Sequence, residues 1–492
     1  MSKKVKDPNK MGFKEIFGVT AMSVLGSLVA MIMQTGFMVY LTDYAGIGSY
    51  AAVVGTTVLF AVRVIDAVDD PIQAFIMDKA KPTKMGKYKS FMLLAFILMA
   101  IGISCLYFIP SGITTSPVLV TIWVVFFYLV YDIGSSFNNP NLLYRTMTDD
   151  VGERSKLITF PRILTMVLSM MGTSLTAIIV KVNESVNNFH DSYGIVVCVM
   201  MLGGLIVSLL GWALIKENHP AEAEHEEEVK IKDFFVLFKE NKAMTTNLLA
   251  NVFSGFIWTF LFATSTYYIK WAFCADLTTG EVDMTKFGTM SLVAGMMMIM
   301  PILLATVVSV PVLKKVKDPA KMQRVLHLIT AASGGVLFLL QLIGVLEKVP
   351  AIFFVSMFVS AFAIGMGFVP GNAMGMEVMD YQIWKNGKDR SALTQAGNKF
   401  LEKAQSAIAS AVVGVILIAI GYQVDSVTGN YVGEVAKLPA MLNWFIVIMG
   451  AGPLVLGVAT YLVYRKYPIN NDVRAQMYAD LEARQKAASE NE

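Results

Sequence analysis

Arg63, Asp66, Asp69 and Asp70 lie inside YAAVVGTTVLFAVRVIDAVDDPIQAFIM, residues Tyr50 to Met77, a stretch otherwise apolar enough to cross a bilayer. A charge at the centre of such a helix costs roughly 2.5–3.5 kcal/mol, so several unpaired ones cost on the order of 10 kcal/mol. A chain keeps that burden where the charges pair, face water or handle an ion. On a helix, residues three, four and seven apart share a face, which puts Arg63, Asp66 and Asp70 on one stripe with Asp69 beside it. Pro71 has no N–H for the carbonyl of Ala67, so that oxygen is left next to two carboxylates. Carboxylate and carbonyl oxygens suit a hard cation such as Na⁺. Carboxylates held together in a membrane can carry a proton instead.

Two more intramembrane charges fall at comparable depth. Asp132 is near the middle of FFYLVYDIGSSFNNP, and Lys403 is in TQAGNKFLEKAQSAIASAVVGVILIAIGY, roughly 7 Å before the centre of its span. Internal salt bridging alone leaves negative charge over, because Asp66, Asp69, Asp70 and Asp132 share only Arg63 and Lys403. Asp66 and Asp70, with Asp69 beside them, are therefore expected to hold a coupling cation, either H⁺ or Na⁺. Glu402 points about 100° away from Lys403 and serves a different contact. Gln34, Asn138, Tyr267, Asn372, Gln395 and Asn398 could hydrogen-bond a polar guest, and equally serve as interhelical glue. Asn139 and Trp258 stand out among such residues, because their spans are expected to line a cavity.

These residues need helices in a bilayer to position them. The chain has 492 residues, of which 55% are hydrophobic and 16% charged, against about 25% charged in a soluble domain. About twelve apolar spans recur, centred near Val29, Arg63, Met99, Asp132, Val167, Gly203, Phe256, Met298, Phe338, Phe362, Ile408 and Ile448. The expectation is an all-α membrane protein of twelve transmembrane helices. Basic residues follow spans two (Lys79, Lys81, Lys84, Lys87, Lys89), four (Arg145, Arg154, Lys156), eight (Lys314, Lys315, Lys317, Lys321, Arg324) and ten (Lys385, Lys388, Arg390). By the positive-inside rule those loops and both termini are cytoplasmic. The acidic run Glu222–Glu228 reads as a solvated linker. It divides the chain into a bundle at 1–216, a central loop at 217–242, a second bundle at 243–465 and a polar tail at 466–492. Pro370 with Gly371 could break span ten or, like other small residues, serve close helix packing, and the methionines are expected to act as adaptable packing.

Other chemistries find little support. Met1–Lys14 is polar and basic and the apolar run after it is long enough to span, unlike a cleavable signal peptide. Cys105, Cys198 and Cys274 share no metal-motif or disulfide spacing. His190, His219, His225 and His327 form no ligand cluster. The absence of a phosphate-cradling GK[ST] loop disfavours ATP-driven transport, and the chain carries no HExxH.

At RVIDAVDDPIQAFIMDKAKPTKMGKYKSFM, at Tyr131–Asp132, at LITFPR ending in Arg162, and at EVMDYQIWKNGKDRSALTQAGNKFLEKAQSAI, the chain resembles the glycoside–pentoside–hexuronide:cation symporter family. That family is the melibiose-permease-like branch of the major facilitator superfamily. The resemblance implies the major facilitator fold of two six-helix bundles in the cell (inner) membrane, working as a monomer without cofactor, enzyme chemistry or nucleic acid. It implies symport of a sugar or glycoside with a monovalent cation. Asp66 and Asp70 take the places of the family's cation carboxylates, Asp132 of the acid that contacts sugar hydroxyls, and Arg162 and Lys403 of the basic residues beside it. Asp78, Gly86 and Lys87 fall in its cytoplasmic gate loop, with Arg63 in the adjoining charge network. Ser27 stands where galactoside-transporting members carry an acid, and Ser136 where they carry an aromatic residue. Leu129 replaces a hydroxyl residue of sodium-binding members, and Asp69 an asparagine, which leans towards H⁺. Arg162 with Lys403 suits a carboxylated sugar such as a hexuronide. A carrier for a non-sugar organic solute and a non-transporting receptor remain the alternatives.

Overall fold

The computed structural model describes residues 10–58, 61–62, 73, 76–77, 79–148, 151–218, 241–346, 348–387 and 391–489. Arg63, Asp66, Asp69, Asp70, Pro71 and Asp78 lie outside them, as do the acidic run, His219 and His225, and the side chains of Gln34 and Gln395. Regular structure among the described residues is helical, with isolated bridges only, such as Ala275 to Val282 and Val424 to Tyr431.

Among the described residues ten helices are long and apolar enough to cross a membrane, and they match ten of the expected spans. Span one is α1 (Phe13–Met22) and α2 (Val24–Val39). Then follow α3 (Tyr88–Leu106), α4 (Pro117–Phe137) with the short α5 (Pro140–Met147), α6 (Val151–Val186) and α7 (Phe189–Leu214). The second half of the sequence supplies α8 (Lys242–Tyr268), α9 (Met284–Val316), α10 (Pro319–Leu342), α11 (Pro350–Asn386) and α12 (Ser391–Ile420). The last span is α13 (Leu438–Ile446) and α14 (Gly452–Tyr464), joined by a π-turn. The helix α6 and the partly described stretch after Tyr50 fall where the sequence places spans five and two.

Local chemistry sets the ends. Pro117, Pro319 and Pro350 open their helices, where the missing N–H costs nothing. Asp318 caps α10 by accepting from the Lys321 N–H at 3.0 Å. Helices then approach through glycine. A Cβ on Gly102 of α3 would lie 2.6 Å from the Tyr131 nitrogen, and one on Gly134 of α4 would lie 2.9 Å from Leu98 and from Met99. Small residues permit such contact where no water drives helices together.

One of the two readings of span ten fails. Pro370 and Gly371 do not break span ten, because α11 continues through them for 37 residues. The reason lies on neighbouring helices. Pro370 cannot donate to the Met366 carbonyl, and the Ser309 hydroxyl of α9 donates to it instead at 2.7 Å. Gln323 of α10 donates its amide to the Gly367 carbonyl at 2.8 Å. A membrane proline is tolerated when neighbours satisfy what it frees.

The polar tail is also more ordered than its composition suggests. Its helix α15 (Asn471–Ser489) lies along the end of α11. Arg474 grips Glu377 with two nitrogens at 2.5 and 3.1 Å, Trp384 donates to Asp480 at 2.8 Å, and Met477 is wholly buried. The chain divides into two compact units. One is drawn from Met1–His225, Ile269–Gly295 and Ser410–Pro439, the other from Glu226–Tyr268, Met296–Ala409 and Ala440–Glu492.

Candidate functional site

The first unit holds most of the described candidates. On α4, Val120, Val124, Tyr128 and Asp132 recur every four residues and form its buried face. Asp132 is 6% exposed, and the glycine contacts with α3 fix the rotation of the helix that carries it. Ser136, one turn further on, is half-buried, as is Asn139 at the break before Pro140. Ser27 of α2 is buried. Its hydroxyl donates to the Ser23 carbonyl at 2.8 Å and lies 2.7 Å from the Thr165 hydroxyl of α6. Thr165 in turn donates to the Pro161 carbonyl at 3.0 Å. Span one is thus tied to the LITFPR segment, three residues from Arg162, whose own side chain is exposed. A Cβ on Gly26 would meet the Asn138 amide at 2.8 Å, so the end of α4 closes on the same spot.

The second unit holds Lys403 and Trp258. Lys403 is half-buried on α12. Two residues on, the buried Gln405 donates to the Asn251 and Val252 carbonyls of α8 at 2.8 and 2.9 Å. Two residues turn an α-helix by about 200°, so this anchor holds Lys403 on the side of α12 away from α8. Trp258 is half-buried on α8, edge to face with Phe262 at 4.3 Å. No group of His, Cys, Asp or Glu fit to hold a metal ion occurs among the described residues.

The gate loop after span two is built around Gly86. Its φ of +109° lies where residues with a side chain are strained. The turn is closed by Gly86 N–H to the Thr83 carbonyl at 3.1 Å. The Glu217 carboxylate then caps α3, accepting from Lys87 N–H at 3.0 Å and Lys89 N–H at 2.6 Å. The Lys89 ammonium donates to the Ile215 carbonyl at 2.7 Å and sits 4.3 Å over the Trp212 ring. Lys87 is 6% exposed. Glu217, by sequence the start of the central loop, is therefore a clamp between spans three and six. A Cβ on Gly86 would fall 2.5 Å from its carboxylate carbon. Gly86→Ala is expected to cost about 1–2 kcal/mol in backbone strain alone, visible as a lower melting temperature and faster proteolysis between Lys79 and Lys89.

At the other ends of these helices is a cluster that the sequence did not single out. Asp43 and Lys270 are each 1% exposed and form an ion pair at 2.5 Å. The second oxygen of Asp43 accepts from the Thr42 hydroxyl at 2.8 Å and from Tyr422 at 2.9 Å. Trp271 donates to the same Tyr422 oxygen at 2.8 Å, and the ammonium lies 4.9 Å over Tyr44 and 4.8 Å over Trp271. Both charges sit in five-residue π-turns, Tyr40–Tyr44 and Ile269–Phe273. Such turns re-aim side chains and cluster at functional sites. Beside the pair, the His190 ring nitrogens lie 2.9 Å from the Tyr44 and Ile109 carbonyls. The one available signal was Lys270 itself, an isolated charge in the apolar YYIKWAF.

Many membrane-crossing helices, with an acid buried in mid-span and a fully buried ion pair at the span ends, make this a polytopic membrane protein. The chain belongs to the MFS/sugar transport protein family, whose model matches residues 16–471. It is 23% identical over 458 residues to the uncharacterized symporter YjmB of Bacillus subtilis (strain 168), covering 91% of this chain and 90% of that one. It is 25% identical over 490 residues to the isoprimeverose transporter of Lactiplantibacillus pentosus, covering 98% and 94%. The resemblance to melibiose-permease-like symporters holds over nearly the whole chain. Among solved structures, a D-xylose–proton symporter matches with a TM-score of 0.58 at 13% identity, covering 91% of this chain and 97% of that one. The fold is that of the major facilitator superfamily.

Proposed function

We propose that the protein is a secondary active symporter that couples uptake of a sugar or glycoside to an H⁺ or Na⁺ gradient by alternating access. It sits in the cell (inner) membrane with both termini cytoplasmic and works as a monomer. The observation that carries this reading is the burial of Asp132 in mid-span, a depth at which an ionisable side chain is costly and marks a functional site. Asp66 and Asp70, with Asp69, hold the cation. Asp132 accepts from sugar hydroxyls, Arg162 and Lys403 stand beside it, and Trp258, Asn139, Ser136 and Ser27 shape the pocket. Loading the cation relieves repulsion among the carboxylates and frees Arg63 and Lys403 to take up their places at the sugar. Each ligand then raises affinity for the other by the same factor. The halves 1–216 and 243–465 rock against each other, linked by 217–242, while Asp78, Gly86 and Lys87 gate the cytoplasmic side and 466–492 stays there.

The kinship with a symporter and with an isoprimeverose transporter supports a glycoside. A second reading, a carboxylated sugar such as a hexuronide, is favoured by Arg162 and Lys403. A thermal-shift panel on the purified protein tests both. Neutral glycosides, including isoprimeverose, and hexuronides are each added with and without Na⁺ at two pH values. Stabilisation by one sugar class, present only with one cation, is expected. Stabilisation by organic anions lacking hydroxyls overturns the sugar reading, and no ligand-dependent shift at all favours a non-transporting receptor.

A further inference from the structure

On the second unit a cleft of about 490 Å³ opens between α9, α10 and α11. Val316 of α9, Val325 and Ile329 of α10, and Phe358 and Phe362 of α11 line it, and Lys321 stands at one end as its lone charged wall residue. From Lys321 to Ile329 the helix rises about 12 Å. Phe358 and Met366 are separated by the same distance along α11, running the opposite way. The cleft is therefore an apolar slot that starts at a lysine and runs down into the membrane. Val325 is 52% exposed and Phe358 39%, so its mouth faces outward from the unit. With no polar lining to hold water, such a slot stays dry and fills with hydrocarbon.

The polar end selects among lipids. Lys314, Lys315, Lys317, Lys321 and Arg324 crowd the turn between α9 and α10, against Asp318 alone. Asp318 is committed to capping α10 and lies 3.8 Å from Arg324. The ammonium groups of Lys314, Lys315, Lys317 and Lys321 form no ion pair among the described residues, and all four side chains are exposed. Basic pockets between membrane helices on the cytoplasmic side recruit anionic headgroups, and each lysine near the surface adds to that attraction.

We propose that this cleft binds an anionic phospholipid of the cytoplasmic leaflet, its phosphate on Lys321 and an acyl chain along Val325, Ile329 and Phe358. The site shares the membrane orientation proposed above and is independent of the sugar. It also touches the proline turn of α11. Met366 lines the slot, and its carbonyl is the one that Ser309 holds in place of Pro370. A chain in the slot props the contact of α9 with α11 beside that turn.

Native mass spectrometry of the full-length protein, released from micelles with phosphatidylglycerol or phosphatidylcholine added and no sugar or coupling cation present, tests this. Phosphatidylglycerol adducts are expected to survive at least about tenfold better, a difference of about 1.4 kcal/mol. Lys321→Gln should remove that preference. Val325→Trp, which fills the slot from an exposed position, should abolish tight adducts of both lipids while the protein stays folded. Equal retention of the two lipids, or phosphatidylglycerol binding unchanged by Val325→Trp, overturns the proposal. A concentration-dependent dimer that Val325→Trp disrupts assigns the face to a second copy and overturns it equally. Because no transport is measured, the sugar reading stands or falls separately.

Discussion

Asp66→Asn and Asp70→Asn are each expected to abolish uptake against a gradient. Asparagine keeps the size of the side chain and one carbonyl oxygen, so the helix should still insert and in fact inserts more cheaply. What it removes is the charge that draws the cation in. Without a bound cation the cost of moving sugar uphill has no source. Exchange of sugar at equal concentrations on both sides needs no gradient and should persist. Asp132→Asn should act differently. It weakens charge-assisted hydrogen bonds to sugar hydroxyls, each worth about 1.5–3 kcal/mol, and so lowers affinity by roughly 10- to 100-fold while coupling remains. Uptake into energised vesicles, with exchange measured alongside, separates the two outcomes. Concentrative uptake that survives in both Asp66→Asn and Asp70→Asn would sink the assignment of the cation site.

The parts of this picture that were legible in the sequence are those whose physics is local. Hydropathy accumulates along the chain, so the spans can be counted before any fold is known. A charge in mid-span is costly wherever it is, so Asp132 and Lys403 announce themselves, and Asp132 is indeed held buried on α4. What could not be read depends on partners far away in sequence. Pro370 looked like a break because the donor that heals it, Ser309, is on another helix. Glu217 looked like the start of a solvated linker because its partners, the Lys87 and Lys89 amides, lie some 130 residues upstream. Nothing in the sequence marks Gln405, although its amide pins span eleven to α8. Asp43 and Lys270 sit near span ends, where a charge is cheap and common, so neither stood out. Only the fold reveals that 227 residues of chain separate two halves of one buried pair.

That pair yields the largest expected effect on stability. Lys270→Met leaves a buried carboxylate with two hydroxyl donors and no cation, and Asp43→Asn leaves a buried ammonium with aromatic rings and no anion. Breaking a buried pair from one side costs about 3–5 kcal/mol, whereas removing both charges is often close to neutral. The single variants should therefore melt well below the parent, and the double variant near it. Tyr422→Phe, which removes one neutral partner, should cost about 1 kcal/mol. The cluster joins the ends of spans one, seven and eleven, so the alternating access proposed above would part the pair. Cys274 offers an internal reporter. It is 5% exposed, it lies four residues beyond Lys270 in the chain, and its N–H bonds the Lys270 carbonyl at 3.2 Å. Burial, opposed in part by the nearby Lys286 charge, pushes its thiol up to about 12, so it stays protonated and slow to react at neutral pH. With Cys105 and Cys198 replaced by alanine, maleimide labelling of Cys274 should be at least about tenfold faster in the double variant than in the parent, as about 1.4 kcal/mol less opposes opening. If the double variant labels no faster while the single variants melt early, the pair is structural glue only. If neither labelling nor melting changes, it is not the latch at this end of the protein.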